Sequence, residues 1–189
     1  MTPKQVERVK KKIINVKAAL AADKKYWGGY YHDGRGQRYI PPQLYISIED
    51  FSGGLRYFNW FHKNFSDDMC YPDFLYEWTI VLFKTNKLKD AERKAFELFC
   101  SDKDLFIKIT ENKNLNNLDK DFEGSYINEL KNKESLSDFK AWLDKLNSTE
   151  KFIRICNKFV EIKKRLLTEE DEETEEYLEK QLVQLSNEL

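Results

Sequence analysis

Between Phe74 and Phe99 the side chains of this chain recur in steps of three and four. Leu75, Trp78, Thr79 and Leu82 fall on one stripe, Ala91, Ala95, Leu98 and Phe99 fall on another, and Asn86-Lys87 separates them. A strand would alternate with period two, so the spacing predicts a helix over 74–85 and a second over 89–100, although the segment WTIVLF is rich in strand formers. Two helices joined by so short a turn form a hairpin, and the small residues allow close approach. The preceding stretch repeats the plan. Pro41-Pro42 open a short helix, Gln43 to Ile48, where missing N–H groups do no harm. Glu49-Asp50 make a turn, and Ser52 is placed to cap a helix running to about Phe65 with Leu55, Phe58, Trp60 and Phe61 on its apolar face. Gly53 and Gly54 in its first turn suggest close packing of backbones.

Upstream, Thr2, Pro3 and Gln5 carry the signature of a capping box. Val6, Val9, Ile13, Val16 and Leu20 then follow at helical spacing among lysines. The run Lys10-Lys11-Lys12 reads as a solvated face, with nucleic-acid contact as the other reading. Tyr26 to Tyr39 interleaves four glycines with aromatic and charged residues and reads as a long loop. Its aromatics either fold back onto the helices, a structural role, or lie exposed and mark a binding surface.

After Ser101 a short helix is expected over 104–110, a polar Asn-rich loop over 111–120 and a helix over 121–133. Ser135 with Asp138, and Asn147 with Glu150, form capping pairs for two more helices. The apolar phase of the second, Phe152, Ile155, Phe159, Ile162 and Leu166, breaks at the acidic run that starts at Thr168. Basic residues Lys163-Lys164-Arg165 followed by acids suit a helix end and a helix start, so a hairpin capped by Thr168 is expected rather than one long helix.

Composition narrows the classes. The 189 residues hold 32 Lys and Arg against 33 Asp and Glu, a net charge of −1, so the chain as a whole offers no bulk attraction to nucleic acid or membrane. Cys70, Cys100 and Cys156 are odd in number and lack CxxC spacing, which suggests neither a disulfide framework nor a zinc site. No apolar run is long enough to span a bilayer and the N-terminus does not read as a signal peptide, so a cytoplasmic location is expected.

The stretch from Arg38 to about Asp102 resembles two tetratricopeptide (TPR) repeats, helix pairs of about 34 residues with small residues at the crossing. Leu75, Trp78, Thr79, Leu82, Ala91 and Ala95 match the pattern, as do Tyr45, Gly54, Phe58 and Phe61 in the preceding unit. Leu98 stands where alanine is usual, and Pro41-Pro42 replace a large residue and a glycine. Gly54 and Ala91 lie 37 residues apart, placing three extra residues around Asp67 to Tyr71. The wider stretch Tyr26 to Phe99 is similar to small bacterial proteins described only as TPR-containing. The resemblance implies an all-α fold in which TPR-like antiparallel hairpins stack into an array; along the chain, residues 1–110 are expected to hold the N-terminal helix, the loop and both helix pairs, and 121–189 a helical extension packed on the same body. It also implies a groove that takes a segment of another protein. The groove positions would be Gln37, Gln43 and Ile46 in the first unit, and Asp73, Tyr76, Ile80, Phe83 and Lys84 in the second.

Of 27 aromatic residues, 17 lie between Tyr26 and Phe83, more than two short hairpins readily bury. Some are therefore expected on a rim or groove. A different class of function rests on His32, Asp33, Arg35 and Arg38, which could supply a base, a carboxylate and an anion clamp for a small enzyme or anion-binding protein. Their spacing matches no phosphate-loop or dinucleotide motif, and an ordinary account has Asp33 and the arginines pinning the loop. His62, Asp67, Asp68 and Cys70 include metal-ligand types at no recognised spacing. Lys24, Lys25, Arg35 and Arg38 beside Tyr26, Trp27, Tyr30 and Tyr31 could serve a single strand. The sequence thus favours a protein-interaction module without cofactor or metal, with possible self-association through the C-terminal helices.

Overall fold

The computed structural model describes residues 1–110 and 122–189; the expected loop over 111–120 lies outside them. Among the described residues there are ten α-helices and no strand, an all-α fold. Backbone contacts divide the chain into two units, Met1–Cys70 and Tyr71–Leu189, a division that falls well before residue 110. No helix among the described residues is long and apolar enough to cross a membrane.

The first unit contains α1 (Pro3–Tyr26), α2 (Ile40–Ser47) and α3 (Phe51–Asn64). Thr2 and Gln5 close the capping box on α1: the Gln5 amide donates to Thr2 Oγ1 at 3.3 Å, and the Thr2 amide to Gln5 Oε1 at 2.7 Å. The helix runs six residues beyond Leu20, because Ala21-Ala22-Asp23-Lys24-Lys25 contains no breaker before Gly28-Gly29. Its core face places Ile13 against Leu44, Tyr45 and Tyr57 of α2 and α3. Asp50, not Ser52, caps α3, its Oδ1 accepting from the Gly53 amide at 2.8 Å. A Cβ on Gly53 would lie 2.3 Å from Asp50 Oδ2 and 2.6 Å from the Tyr45 ring. The close approach at this glycine is thus to two side chains.

The second unit opens with the hairpin of α4 (Pro72–Lys84) and α5 (Leu88–Ser101). Ala91 and Ala95 are completely buried, as small crossing residues should be. Lys94 sits over the Trp78 ring at 4.0 Å and fastens the pair from its outer side. Four more helices in the hairpin's own unit complete the chain after α6 (Lys103–Thr110): α7 (Phe122–Lys131), α8 (Ser137–Asn147), α9 (Glu150–Leu166) and α10 (Glu172–Leu185). Phe96 and Phe99 of α5, Phe106 of α6 and Phe152 of α9 pack their rings together. The last two helices form a hairpin, with Lys158 reaching Glu188 at 3.1 Å. Its second arm is capped by Asp171, which accepts from the Thr174 amide at 2.9 Å, rather than by Thr168. The other expected caps also shift. Thr149 caps α9, while Ser135 Oγ is buried with no hydrogen-bond partner among the described residues. Cys70, Cys100 and Cys156 form no disulfide with one another.

Candidate functional site

The face of α4 expected to line a groove is covered. Tyr76 and Ile80 are buried, and Phe83 lies with its ring centroid 5.5 Å from Phe139 and 5.0 Å from Trp142, both on α8. Tyr76 meets Phe139 from the same side, at 5.7 Å, and Lys84 Nζ bonds the Asp138 carboxylate at the start of α8. Helix α8 thus occupies the place expected for a partner segment. In the first unit Ile46 has no exposed surface and Gln43 is half-buried.

The glycine-rich stretch between α1 and α2 is held by carboxylates. Asp23, in the last turns of α1, accepts from the His32 and Asp33 amides at 2.8 and 3.1 Å. Asp33 is buried and adopts φ 34°, a left-handed conformation that aspartate tolerates better than most residues. Its Oδ1 takes the Gln37 amide at 2.9 Å, and its Oδ2 takes the Arg38 amide at 2.9 Å and Arg38 Nη1 at 3.0 Å. Arg38 Nε reaches across to Asp68 Oδ2 at 2.7 Å, and the Tyr39 hydroxyl donates to Asp68 Oδ1. Burial works against the Arg38 charge, but the bonds to Asp68 and Asp33 outweigh it and hold the guanidinium's pKa above its ordinary value. Tyr39 is pushed up by burial and by its bond to Asp68.

Four residues expected together are therefore sorted into two pairs. Asp33 and Arg38 bond each other and brace the loop, while His32 and Arg35 are exposed. Both Asp33 oxygens accept hydrogen bonds from Gln37 and Arg38. Asp68 is likewise committed, and no group of three metal-ligating side chains forms among the described residues.

The loop aromatics divide as well. Tyr31 folds back, its ring 5.6 Å from Trp60 and 5.0 Å from Phe65, with Lys24 Nζ 4.7 Å from it. Tyr26, Trp27 and Tyr30 stay outside, 81%, 49% and 79% exposed. Gly28 and Gly29, at φ 65° and 105°, end α1 in a left-handed turn that glycine adopts without strain.

Beside this loop, within the same unit, is a cavity of about 250 Å³ lined by Lys17 of α1, Tyr45 of α2 and Asp50, Gly53, Arg56, Tyr57 and Trp60 of or next to α3. Burial, then the Asp50 charge, raises the Tyr45 pKa. Tyr57 belongs to both features: it lines the cavity, and its hydroxyl donates to the Arg38 carbonyl at 2.6 Å.

Sequence reasoning missed Asp23, Lys17 and Arg56, and considered Asp68 only as a metal-ligand type, not as the partner of Arg38 and Tyr39. Asp23 and Asp68 are separated from their partners by 9 and 30 residues, and no local pattern joins them. Lys17 was discernible as the middle of Lys10, Lys17 and Lys24, seven residues apart on one helix. No known family matches the chain, and neither a curated protein nor a solved structure is similar to it.

Proposed function

We propose that this protein is a helical interaction module, with TPR-like hairpins in α2–α3 and α4–α5, that holds a segment of a partner protein on its first unit. The observation that carries the reading is the pairing of a braced loop with exposed rings. Three large aromatics stand in solvent on a segment whose backbone is fixed by Asp23, Asp33, Arg38 and Asp68. Tyr and Trp bring large contact area with few rotatable bonds, and a fixed backbone lowers the ordering cost of binding. The α4 face contributes nothing to such a surface while α8 covers it.

Affinity capture with the full chain and with a Tyr26→Ala/Tyr30→Ala variant tests this. Partners recovered by the parent and lost by the variant support it. Equal recovery of every partner overturns it. Both tyrosines are largely exposed, so circular dichroism of the variant should match that of the parent.

A further inference from the structure

The near-zero charge of the whole chain conceals a partition. Met1–Cys70 carries twelve Lys and Arg against seven Asp and Glu, a net of +5, and Tyr71–Leu189 carries twenty against twenty-six, a net of −6. Three of the first unit's seven carboxylates are Asp23, Asp33 and Asp68, already bonded to the loop. Of its cations, Arg38 is bonded to Asp33 and Asp68 and Lys10 to Glu7, while Lys17 and Arg56 are exposed. Lys10, Lys17 and Lys24 follow one line of α1. At 1.5 Å per residue that line is about 21 Å long, the reach of about six extended residues.

The line passes the cavity. Lys17 and Arg56 stand at its edge, both exposed and neither with an ion pair among the described residues. Tyr45, Tyr57 and Trp60 also line it. Trp60 in turn contacts Tyr31, over which Lys24 lies, so the cavity leads directly to the aromatic loop.

We infer that the partner segment is acidic, and that one of its carboxylate side chains enters this cavity between Lys17 and Arg56. The inference rests on the reading of the loop as a partner surface and specifies the partner's chemistry. Two observations favour a peptide over a nucleic acid. The cavity, about 250 Å³, falls below the roughly 300–1,000 Å³ of small-ligand sites and suits a side chain better than a nucleotide. Asp50 also lines it, with Oδ1 on the Gly53 amide and Oδ2 without a hydrogen bond among the described residues. A peptide backbone offers an N–H to that oxygen, whereas a phosphodiester backbone brings only acceptors and negative charge.

Fluorescence anisotropy with the full chain tests the inference. The probes are a labelled peptide rich in Glu and Phe, the same peptide with Gln for Glu, and labelled oligodeoxythymidine. The Glu peptide should bind most tightly, weaken with added salt, and lose about tenfold in affinity on Lys17→Glu or Arg56→Glu, exposed substitutions that leave the core untouched. Equal binding of the Glu and Gln peptides overturns the acidic assignment, as does affinity unchanged by both charge reversals. Tighter binding of oligodeoxythymidine overturns it in favour of nucleic acid. The loop is read separately through Tyr30→Ala. If that change weakens both peptides equally while charge reversal does nothing, the loop reading survives and the acidic one fails; if only charge reversal acts, the cavity stands and the loop reading fails.

Discussion

Phe83 and Trp142 lie ring to ring, 5.0 Å between centroids, and this contact decides what α4 can do. Phe83 sits where the TPR resemblance places a groove residue, and the chain supplies its own aromatic from α8 to cover it. Removing the cover should destabilise the unit. Trp142→Ala is expected to cost about 2–3 kcal/mol, less than the ~3–5 kcal/mol of a fully buried Trp, because Trp142 is only half-buried. A urea titration measures it through the shift in midpoint. An unchanged midpoint would mean that α8 contributes no packing energy there.

The Asp33–Arg38 pair brings a second expectation. Replacing Arg38 by Met leaves the nearly inaccessible Asp33 carboxylate without its cation, for which a loss of about 3–5 kcal/mol is expected. Asp33→Asn retains an acceptor for only one of the two backbone amides and turns an –NH2 toward the other, but buries no unpaired charge there, and should cost less, about 1–3 kcal/mol. Hydrogen exchange at the Gln37 and Arg38 amides, both bonded to Asp33, should accelerate in either variant.

Glu77 gives a pH dependence of definite sign. It is buried on α4, and the Tyr126 hydroxyl donates to its Oε1 at 2.7 Å. Burial raises its pKa well above the ordinary carboxyl value, outweighing the opposing bond from Tyr126. The folded state then binds a proton that the unfolded state has lost. Stability contributed by this group is intact below about pH 4.5 and declines as pH rises toward the folded pKa. Glu77→Gln keeps an acceptor for Tyr126 without ionising. Its stability relative to the parent should therefore increase from pH 4.5 upward in thermal melts, and a pH-independent difference would contradict the argument.

Gly53→Ala sets two effects against each other. Alanine gains up to ~1 kcal/mol in helix propensity, but its Cβ would displace the Asp50 cap and the Tyr45 ring. Both neighbours are held in place, so a net loss of about 1–3 kcal/mol is expected in denaturant titrations.

These contacts mark where the sequence was readable. Helices announced themselves through local periodicity: Leu75, Trp78 and Leu82 placed α4, and Ala91 and Ala95 placed α5. The Thr2–Gln5 box spans four residues and could be read directly. Helix ends were harder, since Asp50 and Ser52, or Thr168 and Asp171, compete as caps within a few positions. The loop was half legible. Its glycines signalled irregular backbone, but nothing in Tyr26-Trp27 or Tyr30-Tyr31 told which ring folds inward. That was decided by Trp60 and Phe65, some thirty residues away. The α8 cover was invisible for the same reason, and the charge partition emerged only once the chain divided at Cys70.

Tyr57 joins the cavity wall to the Arg38 carbonyl through one short hydrogen bond. Anything seated against its ring also presses on the residue that ties Asp33 to Asp68. Occupancy and loop order should then be thermodynamically linked: a saturating occupant would raise the melting temperature in proportion to RT ln(1 + [L]/Kd), and slackening the brace would lower affinity without touching a contact atom.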